Sequence, residues 1–254
     1  CMSQQYDLSN KDIFTTTHYI KASKFEYDDV SLVDYIDNIW TVAFKMIANA
    51  NDLIQHIEQT DAHLFEKGEM EKKMIMGEAY ACRALMHFDM LRLFGPVYKL
   101  NPKAESIPYN ETSKVMALPL LAADSVIHEK VLRDLDEAEC LFADGPPVIE
   151  GGPMPSLEDD QDVSLRSRQL RMNYYAVLAL KARVYLYAGE KDKALQAAYK
   201  LLKDKTVSEW FPPVDPNKLL ANNVDPDRVF STEVLMGIYM KKRGDIYTYS
   251  FDAE

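Results

Sequence analysis

From Leu32 to Ile57 the apolar residues Ile36, Ile39, Trp40, Ala43, Phe44, Ile47, Ala50, Ile54 and Ile57 recur three and four positions apart, which gathers them on one side of an α-helix. Asp28, Asp29 and Ser31 stand just before that run, where a side-chain oxygen can accept the unpaired amides of a first turn. The pattern predicts a long helix over about 29–57. A second helix, from Gly68 to Phe94, carries two adjoining apolar faces: Met74, Ala81, Leu85 and Phe88 on one, Ile75, Ala79, Cys82 and Met86 on the next. So wide an apolar arc predicts a helix packed between neighbours. Gly95-Pro96 should end it, with the glycine as a left-handed cap and the proline lacking the amide to continue.

A one-sided stripe of Ile127, Val131, Leu135, Ala138 and Phe142 predicts a third helix over 124–142. Two shorter ones, Gln169–Ala188 and Lys191–Lys203, meet at Gly189-Glu190. Residues 1–27 show no clean period. The stretch 97–119 holds Pro102, Pro108 and Pro119 and reads as extended. Residues 143–164, with Pro146-Pro147, Gly151-Gly152, Pro153 and Pro155, read as a long loop. Pro212-Pro213 and Pro216 break the pattern again, and Glu233–Met240 suits a short strand or a helical turn. No apolar run approaches the roughly 20 residues of a membrane-spanning helix.

The expected fold class is therefore all-α, with helical hairpins and long irregular loops. We expect one helical domain over 1–254: an irregular segment 1–28, a helical array 29–204, and an irregular segment 205–254 leading into further chain. The array carries a repeat signal. Ala182, Tyr185, Gly189, Ala194 and Ala198 have the spacing of a tetratricopeptide hairpin. Its small residues would let two antiparallel helices approach, and Gly189 would permit the tight turn. Superimposing Gly95 on Gly189 aligns Ala81, Ala84, Leu85, Phe88 and Leu91 with Tyr175, Leu178, Ala179, Ala182 and Tyr185.

Charge narrows the functional classes. With 40 acidic residues against 29 Lys and Arg, the net charge is −11, which disfavours nucleic acid and anionic membrane surfaces as partners. Cys1, Cys82 and Cys140 form no CxxC pair, and no histidine lies at metal-ligand spacing from them. Cys82 and Cys140 are expected to be plain buried thiols. The five histidines, His18, His56, His63, His87 and His128, are scattered without an HExxH pattern. No set of residues looks catalytic, and neither a metal nor a cofactor is expected. Glu158-Asp159-Asp160 lacks the ligand spacing of a calcium loop and reads as a solvated loop. His87 is expected to be a hydrogen-bonded packing residue, and Glu78 and Arg83 to pair with neighbouring helices. The methionines Met70, Met74, Met76, Met86 and Met90 read as core filling.

Aromatic rings beside planar polar groups are the residue types that bind sugars, because C–H faces pack on rings while hydroxyls need hydrogen-bond partners. Tyr6, Tyr19, Phe25 and Tyr27 lie near Gln4, Gln5, Asn10, Asp28 and Asp29. Trp210-Phe211-Pro212 is a second such place. Tyr6, Tyr19, Tyr27 and Trp210 are thus the candidate ligand-binding residues; the same rings would equally serve to plug the end of a helical array.

A family resemblance joins these threads. Gly77-Glu78-Ala79-Tyr80-Ala81-Cys82-Arg83-Ala84, continuing through Phe88-Asp89-Met90-Leu91-Arg92-Leu93-Phe94-Gly95, resembles the signature helix of SusD/RagB-like proteins. Trp40, Ile47, Asn49, Asn51 and Ile54 resemble that family's first long helix, and Arg133-Asp134-Leu135-Asp136-Glu137-Ala138 its next. Ala179-Leu180-Lys181-Ala182-Arg183-Val184-Tyr185-Leu186-Tyr187-Ala188-Gly189 resembles its repeat hairpin. The motifs occur in the family's order and cover most of 35–204. The resemblance implies a surface-exposed lipoprotein of the outer membrane of Bacteroidetes-type bacteria. Such a protein binds a glycan without chemistry and delivers it to a TonB-dependent transporter, a SusC-like β-barrel, touching the membrane only through a lipid anchor. Under that reading Cys1 is the anchor, although Met2-Ser3-Gln4-Gln5-Tyr6-Asp7 lacks the acidic cluster that often follows such a cysteine; under the other reading the ordered chain simply starts there. The alternative function is a tetratricopeptide-type scaffold that binds a peptide partner.

Overall fold

The computed structural model describes residues 17–114, 116–144, 168–220, 227, 229–238, 240–241 and 244. Cys1, Tyr6 and Glu158-Asp159-Asp160 lie outside the described residues. The chain divides into two compact units, one of Cys1–Lys45 with Tyr239–Glu254 and one of Met46–Ile238.

In the first unit, helix α1 spans Thr17–Ser23, so a helix occupies part of the stretch whose sequence shows no period. Helix α2 follows as Val30–Gln59 and runs on into the second unit. Asp29 caps it as expected: its Oδ1 accepts from the Ser31 amide at 3.0 Å and from the Ser31 hydroxyl at 2.6 Å. The Ser31 hydroxyl, then Lys21, which lies 3.1 Å from Oδ2, holds the Asp29 carboxyl down to about 2.

The second unit packs the end of α2 against helix α3, Glu69–Phe94. An extended connection with one isolated bridge, Glu105 to Ala122, leads to α4 at 123–143. This helix starts as Ala123–Ser125, widens into a π segment over Val126–Val131 and continues as Leu132–Ala143. Helix α5 is Tyr174–Tyr187, α6 Lys191–Leu202, α7 Lys205–Trp210 and α8 Pro216–Leu220. A 3-10 turn at Ser231–Glu233 follows. Among the described residues there is no strand, and none of the helices is long and apolar enough to cross a membrane.

Contacts fix the directions. Arg83 meets Asp134 while Lys73 meets Asp144, so α3 and α4 run antiparallel. Lys181 meets Glu139 while Glu190 meets His128, so α4 and the α5 hairpin do too. Of the two apolar faces expected on α3, the first is buried at Met74, Ala81 and Phe88 and half-buried at Leu85, whereas the second is buried at Ala79 and half-buried at Ile75, Cys82 and Met86. Met74 and Met90 are core residues, as expected, whereas Met70, Met76 and Met86 are half-buried.

The α5–α6 hairpin is of the tetratricopeptide kind anticipated. The Glu190 amide donates to the Tyr185 carbonyl at 2.9 Å and the Gly189 amide to Leu186 at 3.1 Å. Gly189 has φ +81°, the left-handed position between those two bonds that glycine adopts without a steric penalty. Gly95 works differently. Its φ of −82° and ψ of 173° are extended, so left-handed capping is not its role. A Cβ there would sit 2.5 Å from the Leu91 carbonyl oxygen, and the glycine is required by close approach instead.

Four further differences stand against the sequence expectation, the first two with local causes. Helix α5 starts at Tyr174 rather than Gln169, because Asn173 is its cap, accepting from the Ala176 amide at 3.0 Å. Pro216 opens α8 rather than breaking the chain, since its fixed φ suits a first helical position. Cys140 is exposed rather than buried, while Cys82 is half-buried with its thiol pushed by burial up to about 11. The segment Glu233–Met240 forms no strand over its described residues. It is tied instead to the approach to α5, by the Gly237 amide to the Gln169 carbonyl at 2.8 Å and the Asn173 side-chain amide to the Leu235 carbonyl at 2.8 Å.

Candidate functional site

Asn51, Ile54, Gln55 and Glu58 follow one face of α2, Tyr80 and Arg83 lie one turn apart on α3, and Arg133, Asp134 and Glu137 lie together on α4. With Glu111 from the extended connection they line a recess of about 450 Å³.

Its floor is a closed hydrogen-bond network. Arg83 is buried and spends its guanidinium on three bonds: Nε to Asp134 Oδ2 at 2.6 Å, Nη2 to Asp134 Oδ1 at 2.9 Å, and Nη1 to Asn51 Oδ1 at 2.9 Å. Asn51 Nδ2 donates onward to the carbonyls of Asn110 and Thr112, at 3.0 and 3.1 Å. The Tyr109 hydroxyl donates to Asp134 Oδ2 at 2.6 Å. His87 closes the far side. The Asn110 amide donates to its Nε2 at 3.0 Å, so that nitrogen carries the lone pair; Nδ1 therefore carries the proton and donates to the Arg83 carbonyl at 2.9 Å. The imidazole stacks on Tyr109 with centroids 3.8 Å apart, and burial pushes its pKa down to about 4. Burial also opposes the charge of Arg83, but the hydrogen bonds and field of Asp134 outweigh it and raise its pKa. This set binds three helices and a connection into one frame. His87 and Arg83 thus take the packing and pairing roles expected of them, and Glu78 pairs with the buried Arg168.

The rim is where a ligand would be met. Gln55, Glu58 and Glu137 are exposed, and Tyr80 presents a half-buried ring with Arg83 stacked 5.0 Å from its centroid. Burial, then Glu58, pushes the Tyr80 phenol up to about 12. Glu111 receives both Lys130 and Arg133, whose attraction outweighs the opposing effect of burial and lowers its pKa. Four carboxylates face two guanidiniums in this recess, a balance that suits a neutral hydroxylated ligand and repels an anion. Among the described residues no group of His, Cys, Asp and Glu is arranged to hold a metal ion.

The residues singled out from sequence fall elsewhere. Tyr19 belongs to α1, and Tyr27 is exposed, its ring meeting Phe25 edge-on at 6.1 Å. Trp210 ends α7, packed beside the core of Tyr175, Leu178, Leu201 and Phe211. The rim residues Gln55, Glu58, Tyr80 and Glu137 were not among them. Their signal was nevertheless present, as a polar stripe on each of three helices: Asn51, Gln55 and Glu58, then Tyr80 and Arg83, then Arg133 and Glu137.

Comparison with known proteins places this geometry. The sequence pattern of a SusD-like family described as starch-binding and associating with the outer membrane matches residues 2–144. SusD-like protein P38 of Formosa agariphila is 24% identical over 205 residues, which cover 77% of this chain and 33% of that protein. A SusD superfamily protein of Bacteroides vulgatus superposes with a TM-score of 0.53 at 25% identity, over 71% of this chain and 36% of its own. A SusD-like carbohydrate binding protein of the same species gives 0.50 at 20% identity, over 66% and 31%. The chain thus spans about one third of the length of these relatives. With its signature helix α3, its tetratricopeptide-type hairpin and the match over residues 2–144, the chain belongs to the SusD-like family.

Proposed function

We propose that this chain is part of a surface glycan-binding protein that holds an oligosaccharide outside the cell and delivers it to a TonB-dependent outer-membrane transporter, without chemistry. The observation that carries the reading is the recess between α2, α3 and α4. It lies within the residues matched to a family described as starch-binding, and it offers an aromatic ring beside carboxylate and amide groups at its rim. Sugar recognition needs that combination. The paired floor supports it as well: with Arg83, Asn51, His87, Tyr109 and Asp134 each hydrogen-bonded within the frame, the floor holds its shape beneath the rim side chains. Lipid attachment at Cys1 and a sugar-contacting role for Tyr6, Tyr19, Tyr27 and Trp210 belong to the same proposal.

Capture of the native protein from the solubilised cell envelope of its source tests location and partner together. Recovery with a large β-barrel protein in near-equal amount is the expected result. Recovery from the soluble fraction alone, bound to a peptide or protein partner and no barrel, would replace the proposal with a tetratricopeptide scaffold.

A further inference from the structure

The charges of the recess between α2, α3 and α4 fall into two sets. The inner set is paired: Arg83 and Arg133 both reach Asp134, while Arg133 and Lys130 both reach Glu111. Three cations thus meet two carboxylates, which leaves one positive charge in surplus. Arg133 carries it toward solvent, with 48% of its side chain exposed. His87, its pKa pushed by burial down to about 4, adds no charge near neutral pH. Left to this set, the recess would attract an anion.

The outer set is Glu58 on α2 and Glu137 on α4. Both side chains are exposed and both line the recess. Glu58 accepts from the Tyr80 hydroxyl at 3.2 Å, and the ring of Tyr80 stands within the field of both carboxylates. After burial, Glu58 raises the Tyr80 phenol and Glu137 adds to the rise, against the opposing pull of Arg83. These two charges turn the inner surplus of one positive into one negative, at the ring where a sugar would stack. An acidic substituent on that sugar would meet the two glutamates, and like charges brought together at a binding surface discriminate by repulsion.

We propose that Glu58 and Glu137 are the specificity-determining residues of the recess, admitting neutral and ammonium-bearing oligosaccharides and turning away those with carboxylate or sulfate groups. The inference rests on the glycan-binding reading and gives two named side chains the choice between substrate classes. Without them, the inner surplus of charge would favour the acidic glycans that they exclude.

Maltoheptaose, cellohexaose and mannohexaose are titrated by calorimetry at neutral pH and low salt, each beside its own 6-carboxyl and 6-amino forms. The proteins are the wild type, Glu58→Gln, Glu137→Gln and the double variant, since glutamine keeps the side chain's shape and an acceptor oxygen. Asp37→Asn combined with Asp192→Asn removes two exposed charges outside the recess and controls for net charge. The quantity read is the ratio of affinities within one series, which a general loss of binding does not move.

In the wild type, the carboxyl form should bind at least fivefold more weakly than its neutral parent and the amino form at least as tightly. Both differences should shrink as salt is raised. Each single variant should lower the preference, which keeps the test readable where the double variant binds weakly. The double variant should bring it below twofold or reverse it, and the control should retain it. A wild type that binds the carboxyl form as tightly as the neutral one, or more tightly, overturns the charge selection and leaves glycan binding in place. A preference that survives both substitutions, or falls equally in the control, overturns the role of the two glutamates. Absence of binding of every form by the wild type removes the glycan reading and this inference together.

Discussion

Arg83 and Asp134 stand 51 positions apart in sequence and are joined by two parallel hydrogen bonds, Nε to Oδ2 at 2.6 Å and Nη2 to Oδ1 at 2.9 Å, between buried side chains. The pair locks α3 to α4 beneath the recess. Removing one partner strands a buried charge, so Arg83→Ala or Asp134→Leu should each lower stability by about 3–5 kcal/mol. The double variant Arg83→Met with Asp134→Leu should recover part of that loss, because no charge is then left unpaired. Urea unfolding of the four proteins measures both effects.

His87 sets a pH limit on the same frame. Its folded-state pKa lies near 4, against an ordinary value of 6.5, so the unfolded chain binds more protons between those values. The stabilisation is complete above about pH 6.5 and is lost as the pH falls through 4, up to roughly 3 kcal/mol. Unfolding midpoints recorded from pH 7.5 to 4 should fall across that window. In His87→Phe, which keeps a ring against Tyr109, the fall should be smaller.

At Gly77 the approach of α4 is the constraint. A Cβ on this residue would lie 3.1 Å from Cζ of Phe142, closer than a packed core accepts without movement. Gly77→Ala should therefore cost about 1–3 kcal/mol despite alanine's better helix propensity. Combined with Phe142→Leu, the added cost of the alanine should shrink, and a double-mutant cycle in thermal unfolding reads the difference.

At the α5–α6 turn the constraint is backbone conformation. Nothing stands near a Cβ placed on Gly189, but its φ of +81° disfavours a side chain. Gly189→Ala should cost about 1–2 kcal/mol, and the same substitution in a peptide spanning only the hairpin should lower its helicity by circular dichroism.

Local chemistry was the legible part. Asp29 as a cap and Gly189 as a hairpin turn follow from residue type and neighbours alone, and the stripes on α3 and α4 gave their buried faces. Cys140 was legible too, had phase been followed: it lies two positions from both Ala138 and Phe142, about 200° around the helix from each, and faces solvent. Asn173 shows a limit, since apolar periodicity begins before the residue that caps the helix. The recess shows a deeper one. Asn51, Arg83, Tyr109 and Asp134 are brought together by tertiary packing across separate elements, and no local pattern encodes which polar stripe meets which. The glycine at Gly95 was recognisable, but whether it served φ or close approach depended on the position of the Leu91 carbonyl.

The most direct measurement of the central claim is calorimetric titration of the wild type and of Tyr80→Ala with neutral oligosaccharides, starting from maltoheptaose, and with chromatography of the sugar afterwards. Saturable binding that weakens at least fivefold in Tyr80→Ala, with the oligosaccharide recovered intact, is the predicted result. The account is contradicted by absence of binding across the panel, by binding indifferent to Tyr80, or by recovery of shortened sugar.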